Sequence, residues 1–350
     1  MVDFGQLLQE KRKAKGLTQL MLAQKIGMSP VQLCKIERNN TSPTLETVER
    51  ISDALDISIS NLLSRSENQE LELTKVLGDK TISRFYPVRY GNDYKISDNA
   101  ILDAILPFEN TMCDLEDSLK IAHTTLLPFV HSFKIDPFGA KTVARYMRAA
   151  CAVGSASFSD LVELFEFRNV RFHQMKLPEG IQSRSFFDVE NYSLSIVLSK
   201  DNTPERSIYR IAYELAWMTM SGSMGFKPVR EGAQRHRFAR EFAAEFLMPE
   251  ESVRFAVSQL GIGPSDWTLD MIVWLKSKFN VSAESFALRL EALKLISERL
   301  RQKIREELRA YYKAHPKAME PEPRIKSLKI GMRERLLKAT MDNLKKKNKK

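Results

Sequence analysis

The chain has 350 residues and a net charge of +10 at pH 7, long enough for two or three domains whose cores need neither disulfides nor metals. Its three cysteines, Cys34, Cys113 and Cys151, are odd in number and lack paired spacing, which argues against a disulfide framework or a cysteine-rich metal site and predicts a reducing, cytoplasmic location. No segment approaches ~20 uninterrupted apolar residues, so no membrane span is predicted.

A series of short helices is predicted over residues 4–63. The first ends near Gly16, whose missing Cβ suits a left-handed cap. Thr18 is a natural N-cap for the second helix, which Gly27 closes, and Ser29 caps the third. Two further amphipathic helices complete a five-helix core. Their apolar positions are Leu45, Val48, Ile51, Leu55, Ile57, Ile59 and Leu62.

The second and third helices fit the helix-turn-helix arrangement, in which two helices are joined by a short turn containing glycine. Pro30 takes the first helical position of the third helix, which leaves Val31, Gln32 and Lys35 facing outward. A glutamine can bind adenine through two hydrogen bonds, a lysine can reach guanine or phosphate, and a valine can touch a thymine methyl group. Gln19 begins the second helix and is placed to contact a phosphate. The predicted DNA-contacting residues are Gln19, Ser29, Pro30, Val31, Gln32, Lys35 and Arg38.

This stretch resembles the XRE (Cro/cI-type) helix-turn-helix family of bacterial and phage regulators, in the Gln that follows the Thr18 cap and in the Ile-Glu-Arg that ends the third helix. Asn39 stands where the family often has Gly, and Asn also tolerates left-handed geometry. The resemblance implies a lambda-repressor-like domain over residues 1–66 that binds double-stranded DNA. Because one short recognition helix rarely gives sufficient affinity, we expect a homodimer. A helical bundle that binds protein instead of DNA is the alternative.

Residues 67–138 are less informative and are interpreted as a linker and helical coupling segment. Lys80–Tyr94 alternates like a strand that ends at a Gly-Asn turn, and it suggests no role. Residues 99–133 have apolar positions at helical spacing and predict two helices broken at Pro107. This segment is either a dimerisation or coupling element or a packed part of the next domain.

A helical segment, Glu205–Trp217, follows a strand-like segment, Ser193–Ser199. In a zinc metallopeptidase such a helix has the motif His-Glu-x-x-His, which places two imidazoles one turn apart and a general-base carboxylate beside them. Here the same window is Tyr213-Glu214-Leu215-Ala216-Trp217. The glutamate remains, but both imidazoles are replaced by aromatic side chains that are not zinc ligands.

Downstream, Phe238–Pro249 resembles the Glu-x-x-Ala-Asn-x-Phe-Ala-Ala-x-Leu-Leu-Met-Pro helix of the ImmA/IrrE metallopeptidase-like family, and Val281–Leu290 resembles the segment that closes the family's domain. The resemblance implies an α+β zincin-like domain over residues 139–296. His236 stands where active members have the Glu that is their third zinc ligand. One possible ligand does not hold a catalytic zinc, which needs three protein ligands and an open position. We therefore expect no metal, no cofactor and no catalytic residue.

The replaced ligand positions allow two interpretations. The favoured one is that the rings of Tyr213 and Trp217 fill the former metal cleft. The other is a small-molecule or peptide pocket whose walls are Tyr213, Glu214, Trp217 and His236. His236 taken alone is typical of a surface histidine, since arginines flank it on both sides.

The positive charge belongs to residues 297–350, where 18 Lys and Arg stand against 7 Asp and Glu, a balance of +11 that leaves −1 for the rest of the chain. The segment is predicted to be a basic helical tail. We expect its end, Lys345–Lys350, to be disordered, either adding non-specific attraction to phosphates or lying solvated without a specific role.

The predicted fold is mainly α with a small β-sheet: a five-helix DNA-binding domain, an α+β zincin-like domain and a long C-terminal helix. The predicted function is sequence-specific transcriptional regulation, with the degenerate peptidase-like domain acting as a sensor of a small-molecule or protein effector, or as an interaction module. Two alternatives are an ImmA-like metallopeptidase that cleaves a partner repressor and an antitoxin-like DNA-binding protein.

Overall fold

The computed structural model describes residues 4–38, 41, 43, 45–55, 84–91, 97–121, 127–128, 130, 132–158, 160–224, 227–315 and 320–347. The chain divides into two compact units, with the boundary between Ile82 and Ser83. As predicted, it is mainly helical with a small mixed sheet. Among the described residues, no helix combines the length and the apolar character needed to span a bilayer.

The first unit contains helices α1 (Phe4–Ala14), α2 (Gln19–Lys25), α3 (Pro30–Glu37) and α4 (Leu45–Leu55). The predicted fifth helix lies outside the described residues. The four helices bury one apolar cluster, formed by Leu8, Leu22, Ala23, Ile26, Leu33, Ile36, Ile51 and Leu55.

The predicted helix starts and stops in this unit are confirmed. Thr18 caps α2 by accepting a hydrogen bond from the backbone N–H of Met21 at 3.2 Å. Gly16 and Gly27 have φ values of +67° and +64°, a left-handed conformation that glycine adopts without steric penalty. Gly5 lets α1 approach α3, because a Cβ there would lie 2.3 Å from the carbonyl oxygen of Glu37.

The second unit is built around a four-stranded sheet in the order β1 (Phe85–Pro87), β4 (Ser183–Asp188), β5 (Ser193–Ser199) and β3 (Val170–Met175). β4 is antiparallel to β1 and β5, whereas β3 runs parallel to β5. Every residue of β5 is buried, consistent with its position between two strands. A separate parallel pair joins β2 (Arg89–Tyr90) to β6 (Val229–Arg230).

Helices cover this sheet and form most of the second unit. α8 packs against β4, β5 and α9, and α9 packs in turn against α6. The helices are α5 (Ser97–Ser118), α6 (Pro137–Ala150), α7 (Leu161–Glu166), α8 (Pro204–Ser223), α9 (Ala233–Leu247), α10 (Glu250–Ser258), α11 (Leu269–Phe279), α12 (Ala283–Ala292), α13 (Glu298–Ala314) and α14 (Met332–Lys347).

The predicted helix break at Pro107 is wrong, because α5 runs through this residue without interruption. A proline inside a helix removes one backbone hydrogen bond, but buried side chains on both sides, Ile105 and Met112, hold the two halves in register. The Thr111 hydroxyl also donates to the carbonyl oxygen of Pro107 at 2.8 Å. Tertiary packing thus outweighs the local signal.

In the basic tail, α14 extends to Lys347; the disorder expected for Lys345–Lys350 stays a prediction, and residues 348–350 lie outside the described part. The carboxylate of Glu166 accepts hydrogen bonds from the backbone N–H groups of Gly331, Met332 and Arg333 at 2.6, 2.8 and 3.2 Å. A carboxylate at a helix N-terminus satisfies donors that have no partner within the helix and complements its dipole. The Glu166 carboxylate therefore holds the start of α14 in place, a contact that composition alone does not predict.

Candidate DNA-reading surface and altered zinc cleft

Helix α3 presents a polar, exposed face opposite its buried one. Leu33 and Ile36 are in the core, whereas Val31 is 65% exposed and Lys35 is exposed. Arg38 is exposed at the C-cap of the same helix. An exposed helix face with a cation and an apolar contact is suited to reading base edges in a major groove.

The start of α3 is fixed by a capping box in which Gln32 takes part. The Ser29 hydroxyl accepts from the Gln32 backbone N–H, and the Gln32 Oε1 accepts from the Ser29 backbone N–H, both at 3.2 Å. Pro30 occupies the first turn, as predicted. An adenine contact through both ends of the Gln32 amide needs Oε1 as well as Nε2, so it requires this box to open.

Beneath the exposed face, a buried ion pair joins α1 to α3 and holds Gln19. Arg12 Nε lies 2.6 Å from Glu37 Oε1, and Gln19 donates its amide N–H to Glu37 Oε2 at 2.7 Å. Burial alone would raise the pKa of Glu37, but the hydrogen bonds from Arg12 and Gln19 and the charge of Arg12 outweigh it and lower that pKa. The sequence did not reveal this network, since Arg12 and Glu37 read as surface charges. This network engages one of the two amide N–H groups of Gln19, the residue predicted to contact a phosphate.

In the second unit, three aromatic side chains meet at the replaced ligand positions. Tyr213 and Trp217 lie one turn apart on α8, and His236 faces them from α9, with ring centroids 6.4 Å from Tyr213 and 5.2 Å from Trp217. Tyr213 Oη and His236 Nδ1 are 2.5 Å apart. Trp217 is fully buried and Tyr213 is 5% exposed. The rings therefore fill the space between the two helices.

Glu214 points toward the sheet, not toward this aromatic cluster. Its Oε1 accepts from the Ser183 hydroxyl at 2.6 Å and its Oε2 from the Ser185 hydroxyl at 2.7 Å. Arg89 Nη2 donates to the same Oε1 at 2.8 Å. The carboxylate is fully buried, and its hydrogen bonds tie α8 to β4 and β2.

Arg89 is the residue at this site that sequence reasoning missed. Its guanidinium carbon lies 5.4 Å from the Tyr213 ring centroid and 5.5 Å from that of Trp217, which places a positive charge beside the two aromatic rings. Arg89 is 6% exposed and also lies 3.6 Å from Glu231. A charged residue between apolar neighbours in a strand was the available signal, because a buried arginine needs a partner.

The residues at this cleft do not fit a zinc ion. Burial raises the pKa of Tyr213 and lowers the pKa of His236, so both side chains favour their neutral forms and Tyr213 is not a phenolate ligand. Trp217 has no lone pair to offer, and the Arg89 guanidinium would repel a cation. Within the described part of the chain, no group of three or more His, Cys, Asp and Glu side chains could hold a metal.

Comparison with known families agrees with both units. A model described as "Helix-turn-helix" matches residues 8–62, and a model described as "IrrE N-terminal-like domain" matches residues 166–291. The second match includes the Tyr213 to Trp217 window and His236. The first match includes all of α3, whereas Arg89 lies outside both matched ranges.

Curated relatives match the first unit. The HTH-type transcriptional regulator SinR of Bacillus licheniformis is 36% identical over 19% of this chain and 62% of its own length. The phage repressor RstR of Vibrio cholerae is 44% identical over the same shares, 19% and 62%. The uncharacterized HTH-type transcriptional regulator YqaE of Bacillus subtilis is 34% identical over 22% of this chain and 68% of its own. This chain belongs to the helix-turn-helix family. The chain spans 62% of the length of SinR and of RstR. The matches to these three relatives cover 69, 69 and 79 residues.

Proposed function

We propose that this protein is a sequence-specific DNA-binding transcriptional regulator, active as a homodimer in the cytoplasm, whose IrrE-like unit senses an effector or binds a partner and does not cut peptides. The observation that carries the first half is the α3 face, which exposes Val31, Lys35 and Arg38 on a capped helix. The names of the curated relatives, regulators and a phage repressor, support the same assignment.

The small size of the recognition helix supports the proposed homodimer. A single recognition helix of eight residues contacts only a few base pairs, whereas two copies on an inverted repeat double the contacts, with half-sites about one helical turn apart. We therefore expect an operator with two-fold symmetry. A monomer that binds a single half-site as tightly as the full repeat would contradict this part of the proposal.

DNA reading is tested with Lys35→Ala and Gln32→Glu, measured by binding to the upstream region of the protein's own gene and to a random duplex of equal length. Lys35→Ala should weaken selective binding by about 1–3 kcal/mol if it reads a base. Gln32→Glu keeps an acceptor for the capping box but places a negative charge toward the phosphates, so it should weaken binding while the helix stays intact.

Lys200→Ala, an exposed lysine of the second unit, is the matched control and should bind DNA like the wild type. Equal affinity of the wild type for both duplexes would refute sequence-specific regulation and favour a protein-binding role for the first unit. Selective DNA binding that is lost on adding a second protein, but not with small molecules, would favour the antitoxin-like alternative.

Absence of peptidase activity is supported by the donor set at the cleft. Arg89 contributes the positive charge there, Glu214 is engaged by Arg89, Ser183 and Ser185, and neither Tyr213 nor Trp217 binds zinc as a neutral side chain. A water activated by zinc needs three protein ligands. The geometry instead supports a rigid scaffold that transmits or receives a signal.

The zinc content of the purified protein tests directly whether the cleft binds a catalytic metal. Protein purified without chelators and then dialysed against micromolar zinc should retain far less than one zinc per chain, and Glu214→Gln should leave that content unchanged. Stoichiometric zinc in the wild type, together with cleavage of a partner repressor that Glu214→Gln abolishes, would establish the peptidase alternative.

A further inference from the structure

A cavity of about 770 Å³ opens between α8, α9 and the start of α12. Arg206, Tyr209 and Arg210 line it from α8, and Arg240 lines it from α9. The cavity is separate from the packed aromatic cluster but lies on the same face of α8, because the Arg210 guanidinium carbon is 5.7 Å from the ring centroid of Tyr213. We call it the arginine cavity.

The acidic side chains of this cavity are mostly neutralised from outside it. Glu284 pairs with Arg305 at 3.3 Å and Glu291 pairs with Arg301 at 2.6 Å, both partners being on α13. The cavity's fourth arginine, Arg289, is buried and pairs with Glu245 on α9. These three pairs contribute no net charge.

Arg206, Arg210 and Arg240 remain, and none of them has an ion pair with another described residue. Among the acidic residues of the lining, Glu241 has no ion pair with another described residue. Three guanidinium groups against one carboxylate leave a charge of about +2 in one concave site. Neighbouring like charges repel one another, and an anion bound between them offsets that repulsion. The three arginines therefore favour binding of an anion.

Two neutral side chains at the cavity wall, Tyr209 and Ser282, are also compatible with an anion. Burial raises the pKa of Tyr209 to about 12, so its hydroxyl stays protonated at neutral pH and can donate a hydrogen bond. Ser282 lies at the cavity wall and caps α12 by accepting from the Ser285 backbone N–H at 3.1 Å, while the Ala283 backbone N–H of the same helix donates to Glu320. Arginine is the side chain best matched to phosphate oxygens, because its planar fork donates two parallel hydrogen bonds.

We propose that the arginine cavity binds a small phosphomonoester, with the guanidinium groups of Arg206, Arg210 and Arg240 around its phosphate and its organic part against Ala244, Met248 and Leu288. A phosphomonoester has about two negative charges at pH 7, which balances the residual charge of the site. The volume is within the range of small-molecule pockets. The assignment of this cavity as the regulator's effector site rests on the proposed function. Whether the cavity binds a phosphomonoester at all is tested without DNA.

The test uses the full chain in a chloride buffer, with binding followed by phosphorus NMR. The probes are inorganic phosphate and ribose 5-phosphate, with ribose as the uncharged control and hexaglutamate as an acidic peptide competitor. The double variant Arg206→Gln/Arg240→Gln removes two exposed guanidinium groups. Its charge-matched control, Arg237→Gln/Arg299→Gln, removes two exposed arginines outside the cavity, so the two double variants have the same net charge.

Ribose 5-phosphate should bind the wild type and the control alike, and the double variant at least about tenfold more weakly, because hydrogen bonds to charged groups are lost. Ribose and hexaglutamate should not displace it. Equal binding by the two double variants, no binding by the wild type, or displacement by hexaglutamate would each overturn the assignment, the last in favour of an acidic peptide.

The same samples separate this inference from the proposed function. Selective DNA binding by a wild type that fails to bind ribose 5-phosphate refutes the arginine cavity alone. Binding of ribose 5-phosphate by a wild type without DNA selectivity upholds the cavity and refutes the regulator. If both hold, adding ribose 5-phosphate or a larger phosphomonoester to the DNA measurement shows whether the site is coupled to the operator.

Discussion

Each unit contains a buried Arg–Glu pair, and the two pairs have opposite relations to function. Arg12 and Glu37 lie beneath the reading surface and leave Lys35 and Val31 exposed. Arg89 and Glu214 lie inside the cleft itself and take its carboxylate out of reach of a metal or substrate. The same interaction therefore lies beneath an exposed helix face in one unit and inside the cleft in the other.

The difference shows why a motif residue is a weak guide when its neighbours have changed. Glu214 stands where a zinc peptidase has its general base, but its three hydrogen-bond donors are Arg89, Ser183 and Ser185. A carboxylate so engaged has a structural role. In the first unit the caps, core and exposed face agree with one another, which is the condition under which sequence specifies structure.

The largest effect expected from this comparison is that of Glu214→Ala. Removing the carboxylate takes away the nearer acidic partner of the buried Arg89 guanidinium and leaves it only Glu231, at 3.6 Å, which should lower the free energy of unfolding of the second unit by about 3–5 kcal/mol. All three tryptophans, Trp217, Trp267 and Trp274, follow residue 83, so tryptophan fluorescence during urea unfolding reports on this unit alone.

Glu190→Ala, which removes a mostly exposed carboxylate 3.8 Å from Arg84, is the control and should change the unfolding free energy by less than about 1 kcal/mol. If Glu214→Ala unfolds at the wild-type urea concentration, Glu214 is not structural and the contrast between the two pairs fails.

A smaller effect is expected from protonating Glu37, since this neutralises a partner without removing it. Its pKa is lower in the folded unit than its ordinary value of 4.5, so its contribution to stability is complete above that value and is lost as the pH falls through the folded pKa. Hydrogen exchange of the α2 and α3 amides, corrected for intrinsic rates, should show less protection below pH 4.5 than at pH 6.

Glu37→Gln should have the lower protection already at pH 6 and should lose this part of the pH dependence. A wild type and variant with the same slope of protection against pH would show that the Arg12 pair does not stabilise the reading surface.

The smallest effect is expected from Ser29→Ala, which breaks the capping box of α3. Loss of an N-cap side chain should destabilise the first unit by about 1 kcal/mol, and Ser29→Thr, which keeps the hydroxyl, should restore most of it. The measurement is hydrogen exchange of the Leu33 and Ile36 amides. Unchanged exchange in Ser29→Ala would mean that the box seen between Ser29 and Gln32 does not hold the helix.

The sequence predicted the local features of the first unit because they are set by neighbouring residues. The Thr18 and Ser29 caps, the left-handed glycines and the buried Leu33 and Ile36 are all confirmed. The role of Gln32 in the capping box was less visible, since an exposed glutamine three residues after a cap is compatible with either capping or base contact.

Long-range pairs could not be read from the sequence. Arg89 and Glu214 are separated by 125 residues, and nothing local to Arg89 identifies its partner. The same holds for the continuity of α5 through Pro107, which depends on side chains packed against other elements. It also holds for Glu166, whose carboxylate caps α14 although it is 165 residues away from Gly331 in the sequence. Hydrophobic periodicity identifies which face of a helix is buried but not which element packs against it.

Because the positive charge in the cleft belongs to the Arg89 side chain, the second unit should not depend on a supply of zinc for its assembly. A zinc site must be loaded after synthesis and can be emptied by a chelator, whereas a charge on a side chain is present as soon as the chain is made. The architecture around Glu214 should therefore be indifferent to EDTA and to zinc starvation. A cell short of metal would assemble this unit as readily as one with metal in excess.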